Sequence, residues 1–179
     1  MSGSLQPIVK GEMVMKRTVV YLAILLAALT FNQSVSGRKQ GDGKKAEQTP
    51  VIVFVCEHGA AKSVVAAAHF NKLAEEEHLN LRAIARGTNP DLEIAPKAVQ
   101  GLQADGLASG EAAPKKISKA DLVGAKRIIT FCQLPDDYAG GVRVENWDDL
   151  PPVGEDYNKF RDGLVERLRV LLEGLKSEK

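Results

Sequence analysis

Val51-Ile52-Val53-Phe54-Val55-Cys56-Glu57-His58-Gly59-Ala60-Ala61-Lys62-Ser63 is the stretch on which the reading of this chain turns. Residues 51–55 form an unbroken β-branched and aromatic run after Pro50. A run apolar on both faces suits the central strand of a parallel sheet. A thiol and a short loop follow. From Ser63 to Leu79, Val64, Ala67, Ala68, Leu73 and Ala74 recur near helical spacing, which predicts a helix with Ser63 placed to cap it. In open α/β sheets, sites form outside the carboxyl ends of the strands, so chemistry is expected on the loop that Cys56 leads. Peptide N–H groups of Glu57, His58, Gly59, Ala60, Ala61, Lys62 and Ser63 can converge there in front of a positive helix end. Such a cradle favours a phosphate-like oxyanion, and the same field favours sulfur in its anionic form at Cys56. Lys62 is expected to return over the loop as a cation. Ser63 is able to hydrogen-bond the sulfur, in competition with capping. Gly59 supplies the freedom to adopt positive φ, and His58 adds a proton-dependent charge. The blander alternative is a Cys56 that is a small buried hydrophobe at a strand end.

Working outward, Leu81–Arg86 alternates apolar and basic residues and ends at Gly87, the pattern of a strand. Ala95–Ala104 reads as a helix with Pro96 in its first turn, where proline is tolerated. Lys119–Leu122 is at most a short helix. Arg127–Phe131 is a second strong β-type run, and Val142–Val144 a weaker strand. In Glu155–Gly174 and just beyond, Phe160, Leu164, Leu168, Leu171, Leu172 and Leu175 step by three and four with charges between them, which predicts an amphipathic helix. Strands alternating with helices give one α/β domain over residues 51–176, its parallel sheet covered on both faces.

The N-terminal part is of another kind. Met15-Lys16-Arg17 precedes the apolar run Val19–Leu29 and a polar stretch, with Ser34 and Ser36 at the −3 and −1 positions of a cleavage before Gly37. Residues 1–36 are therefore expected to be an export signal with an upstream extension. The alternative is an uncleaved anchor, although the run falls short of the about 20 apolar residues that span a bilayer. No cysteine follows the apolar run, which excludes lipid attachment there. Residues 37–50, Gly- and Lys-rich without apolar periodicity, read as a flexible linker.

Composition narrows the function classes. The 179 residues are 44% hydrophobic and 26% charged, ordinary for a packed domain. With 24 basic against 23 acidic residues the formal net charge is +1, so the basic stripe of a nucleic-acid binder is not expected. Two cysteines are too few for a disulfide framework or a four-cysteine zinc site. His58, His69 and His78 have no ligand spacing with a carboxylate, so neither a metal nor a cofactor is expected.

The unit strand–Cys56-x5-Lys62-Ser63–helix resembles the superfamily of low-molecular-weight protein tyrosine phosphatases and thioredoxin-coupled arsenate reductases, whose loop is Cys-x5-Arg-Ser after the first strand. The resemblance extends to Thr130-Phe131-Cys132, to Trp147-Asp148-Asp149 and to the closing amphipathic helix. It implies a phosphatase I-like sheet of four parallel strands in the order 2-1-3-4. It implies Cys56 as nucleophile on a phosphate monoester, with the amides of Glu57–Ser63 holding the oxyanion. An aspartate, Asp149 in preference to Asp148, would protonate the leaving oxygen. It also implies an alternative, arsenate reduction through Cys56 and Cys132 with a thiol reductant as partner, in which a Cys56–Cys132 disulfide forms. Three departures stand out. Lys62 replaces the family arginine, a point charge in place of a bidentate grip. Gly59 replaces the asparagine that braces the loop, and the acid is not immediately followed by proline. A non-catalytic oxyanion binder is therefore a further alternative.

Overall fold

A computed structural model describes residues 49–178 apart from residue 139. The expected signal at 1–36 and most of the linker at 37–50 lie outside the described residues. Strand β1 (Val51–Cys56) is followed by helix α1 (Lys62–Glu76), β2 (Arg82–Gly87), α2 (Pro96–Ala104), the short α3 (Lys119–Leu122), β3 (Ala125–Thr130), a single 3₁₀ turn at Asp136–Tyr138, β4 (Val144–Asn146) and the long α4 (Tyr157–Ser177). All strand pairings are parallel, with Val53 opposite Ile84 on one side and Ile128 on the other. The sheet order is β2-β1-β3-β4, as the resemblance implies.

β1 is central because it is apolar on both faces: residues 52–55 are all fully buried. Ile52 and Phe54 face one core with α1, α2 and α4, while Val53 and Val55 face a second. The two layers are unequal. Helices α1, α2 and α4 pack together over the first face. The second is covered by Ile117, Leu122, Leu134 and Tyr138, from loops and short turns. The sheet is thus covered on both faces, as expected, but on the second face the cover comes from short elements, with Leu122 from α3 and Tyr138 from the 3₁₀ turn.

The large core centres on aromatic rings. Phe54 lies 5.9 Å from Phe70, 6.4 Å from Phe131 and 6.3 Å from Trp147, centroid to centroid. Truncating a fully buried phenylalanine here would cost about 3–5 kcal/mol. Trp147 is thus core, and it sits at the end of β4, its N–H bonded to the Thr130 carbonyl at 2.8 Å. A buried polar cluster ties the helices together beside this core. His69 Nε2 of α1 lies 3.3 Å from Asp105 Oδ2 at the end of α2. Tyr157 of α4 donates its hydroxyl to the same oxygen at 2.6 Å, and Arg161 reaches Asp105 Oδ1 at 3.0 Å.

Most element boundaries differ from expectation by one to three residues, and two of the differences have a visible cause. The fourth strand falls at Val144–Asn146, two residues later than expected, because the Ile128 N–H takes the Arg143 carbonyl and pairing starts from there. The last helix begins at Tyr157, where the Asp156 carboxylate accepts from the Lys159 N–H at 3.0 Å and caps it.

Candidate functional site

Cys56 ends β1 and is 6% exposed. The loop after it is shaped by where its carbonyls go. Those of Cys56, Glu57, His58 and Ala60 accept hydrogen bonds from the N–H groups of Thr88, Asn89, Asp91 and Ala95, at 3.1, 2.8, 3.0 and 2.9 Å. All four bonds run to the segment that leaves β2. In a planar trans peptide the N–H points opposite to the C=O. The N–H groups of Glu57, His58, Gly59 and Ala61 are therefore turned toward the other side of the loop. Lys62, Ser63 and Val64 follow as the opening residues of α1, whose N–H groups have no partner within the helix. The helix end adds roughly half a positive charge. Amides on one side of the loop and a helix end thus lie together after the thiol, an arrangement that favours an anion.

Glycine is required twice. Gly59 has φ +61°, and a Cβ on it would lie 2.9 Å from Gly87 N; a Cβ on Gly87 would lie 2.7 Å from Gly59 N. The loop backbone thus rests directly on the end of β2. Gly59 was legible as a positive-φ position. Gly87 was legible only as the end of a strand, because its packing partner is distant in sequence.

Ser63 does not cap α1; the N-cap position belongs to Ala61, without a side-chain bond. Being one residue inside the helix, the Ser63 hydroxyl turns to the thiol instead, with Oγ 3.1 Å from Cys56 Sγ. His58 points to the rim, its Nδ1 3.1 Å from Asp91 Oδ1. Lys62 reaches the segment at 148–150. Its ammonium donates to the carbonyl of Leu150 and to that of Asp148 at 3.4 Å. Burial lowers its pKa, and the charges of Cys56, Asp148 and Asp149 oppose that shift.

The Trp147–Leu150 segment faces this lysine. Asp149 is committed elsewhere. Both its oxygens are held by Arg167 of α4, one at 2.8 Å, and these bonds hold its carboxyl below the usual range. Arg167 also lies over the Trp147 ring at 5.9 Å. The Asp148 carboxylate has a neutral hydrogen-bond partner: Asn146 Nδ2 donates to its Oδ2 at 3.3 Å, and the Asp148 N–H donates to Asn146 Oδ1 at 2.8 Å. Arg167 was not anticipated, since in sequence it is one of several charges on an amphipathic helix.

Cys132 is half-buried just beyond β3. Its sulfur is 3.7 Å from Thr130 Oγ1, and that hydroxyl donates to the Cys132 carbonyl at 2.6 Å. Burial pushes the thiol's pKa up and the nearby Cys56 sulfur adds to the shift, while hydrogen bonds with Thr130 and Thr88 oppose it. The two cysteines are free thiols. The described residues contain no cluster of His, Cys, Asp and Glu fit to hold a metal, and no helix long and apolar enough to cross a membrane.

A parallel α/β sheet whose first strand delivers a thiol to a backbone oxyanion cradle defines a class of domain. The particular family follows from comparison. The model for low molecular weight phosphotyrosine protein phosphatases matches residues 51–179, and the chain belongs to that family. It is similar to a protein-arginine-phosphatase of Bacillus subtilis (strain 168), 31% identical over 150 residues, which cover 72% of this chain and 98% of that one. Among solved structures, a low molecular weight protein tyrosine phosphatase from T. tengcongensis superposes with TM-score 0.58 at 18% identity, covering 70% of this chain and 99% of the other. An arsenate reductase from Archaeoglobus fulgidus superposes with TM-score 0.57 at 26% identity, covering 68% and 98%.

Proposed function

We propose that this chain is a cysteine-dependent phosphatase that acts on phosphorylated protein side chains, phosphotyrosine foremost, through a phosphocysteine intermediate. The observation that carries this reading is the 3.1 Å contact of Cys56 Sγ with Ser63 Oγ at the edge of the amide ring. A thiolate at Cys56 attacks phosphorus while the P–O bond to the leaving group breaks. The amides of residues 57–63 hold the equatorial oxygens. Asp148 protonates the leaving oxygen in preference to Asp149, because both Asp149 oxygens are engaged by Arg167 whereas the Asp148 carboxylate accepts one bond, from Asn146. Water then attacks the phosphocysteine, Asp148 accepts its proton, and phosphate leaves as the Cys56 thiolate is restored.

The test is incubation of reduced protein with a ³²P-labelled aryl phosphate, followed by acid quench. Label on Cys56 that is absent from Cys56→Ser is the expected result. Neither label nor turnover in fully reduced protein would overturn the proposal and leave the non-catalytic oxyanion binder. The arginine-phosphatase relative makes phosphoarginine the second substrate to assay.

Arsenate reduction is the second reading, favoured by a Cys132 thiol close enough to Cys56 for their charges to interact. It predicts an arsenate-dependent Cys56–Cys132 disulfide, reduced by an added thiol. For the segment at 1–36, the proposal is export, and an N-terminus beginning at Gly37 in protein recovered from its native compartment is the expected result.

A further inference from the structure

Lys62 stands at the family arginine's position, and its ammonium, near enough to Cys56 to feel that sulfur's charge, is bonded to main-chain carbonyls. It crosses from the first turn of α1 to the carbonyls of Asp148 and Leu150, passing 6.0 Å from the Phe131 ring centroid. From the opposite side, Arg167 of α4 binds the Asp149 carboxylate and covers Trp147. The segment 147–150 is therefore clamped between two helices, at backbone carbonyls on one side and at a side-chain carboxylate on the other. Asp148, whose own carbonyl is one of the anchors, has a carboxylate that is hydrogen-bonded by Asn146 and is close enough to Lys62 for their charges to interact.

We propose that Lys62 is a positioning residue for the acid-bearing segment, fixing Asp148 through the Asp148 and Leu150 carbonyls and leaving oxyanion binding to the ring of peptide amides. The proposal rests on the phosphatase reading for Asp148's role and on geometry alone for the clamp. An ammonium has three donors and no preferred plane, so it serves two carbonyls at different angles as well as it would serve one oxyanion. A carbonyl anchor also fixes the backbone path whatever the side chains. It follows that substrates with different need of an acid will respond differently to loss of Lys62. An ester whose leaving group departs unprotonated needs no aligned Asp148, and one with a poor leaving group does.

The experiment compares wild type, Lys62→Met and Lys62→Arg as reduced, full-length protein, matched by circular dichroism. Inorganic phosphate binding is measured by calorimetry. Acrylamide quenching is read from Trp147, the single tryptophan of the chain. Turnover is measured on phenyl phosphate and on 2,4-dinitrophenyl phosphate. For Lys62→Met the expected result is unchanged phosphate affinity, increased quenching of Trp147 and a kcat on phenyl phosphate lowered by about 10²-fold, with little loss on the dinitrophenyl ester. Lys62→Arg, which retains a cation with several donors, is expected to recover the quenching and much of the phenyl phosphate rate. Unchanged quenching in Lys62→Met would overturn the proposal. So would phosphate binding weakened about tenfold or more with equal loss on both esters, since Lys62 would then be an oxyanion ligand. Wild type that binds phosphate but hydrolyses neither ester would overturn the phosphatase reading instead, while the quenching arm would still decide the clamp.

Discussion

The loop at 57–63 and the segment at 147–150 are joined by Lys62 and are held in different ways. The first is held by main-chain hydrogen bonds: three of its carbonyls, with that of Cys56 before it, are tied to residues 88–95, and Gly59 rests on Gly87. The second is held by side chains, Lys62 from α1 and Arg167 from α4. A backbone-built site tolerates a change of side chain, whereas a side-chain-held segment depends on each anchor. On the proposed reading, Lys62 in place of the family arginine leaves the main-chain loop intact and has its effect on the acid segment.

The sharpest separation of the two regions removes the nucleophile. Cys56→Ser is expected to lower turnover by on the order of 10⁶-fold, the scale seen when a hydrolase loses its nucleophile, while calorimetric phosphate binding persists. Loss of both together would mean that the thiol, and not the amide ring, organises the cradle.

Next in size is the contrast between neighbouring aspartates. Asp148→Asn is expected to lower kcat by about 10²–10⁴-fold and to remove the alkaline limb of the rate profile. Asp149→Asn should leave that limb in place, because its carboxyl, held low by Arg167, is ionised throughout the working range. The reverse pattern in steady-state rates against pH would return the acid role to Asp149.

A smaller effect probes the cradle. Gly59→Ala places a Cβ 2.9 Å from Gly87 N at a residue with φ +61°. It is expected to destabilise the fold by about 1–3 kcal/mol, read from urea midpoints, and to weaken phosphate binding. Wild-type behaviour in both would show that the loop has slack.

The smallest effect lies away from both regions. Burial lowers the pKa of His69 from its ordinary 6.5, with Asp105 opposing. The neutral ring is thus the folded form, and its contribution is fully present above about 6.5 and lost as pH falls through the folded value. Urea midpoints should decline as pH falls below about 6.5, before the lowered carboxyls of Asp105, Asp121 and Glu111 titrate. His69→Gln should flatten that slope; an unchanged slope would assign it elsewhere.

How far the sequence carried can be judged residue by residue. Residues 51–55 and the leucine steps of the last helix encode periodicity in their own neighbours, so β1 and α4 were readable. Val142–Val144 was read two residues early because edge-strand register is set by the partner strand. Gly59 announced itself by type; Gly87 and Arg167 did not, since each matters only through a contact made after folding. Ser63 illustrates the boundary between the two. Its identity promised either a cap or a partner for sulfur, and a start of α1 at Lys62 selected the sulfur.

The amino-acid order alone determined a parallel α/β fold with a thiol at the mouth of its first strand, because hydrophobic period and strand–loop–helix succession are local properties. Only the packed structure decided which carboxylate Arg167 engages and where the Lys62 charge goes. Those outcomes depend on contacts between residues 18 positions apart for Asp149 and Arg167 and 86 and 88 apart for Lys62, which no local pattern encodes.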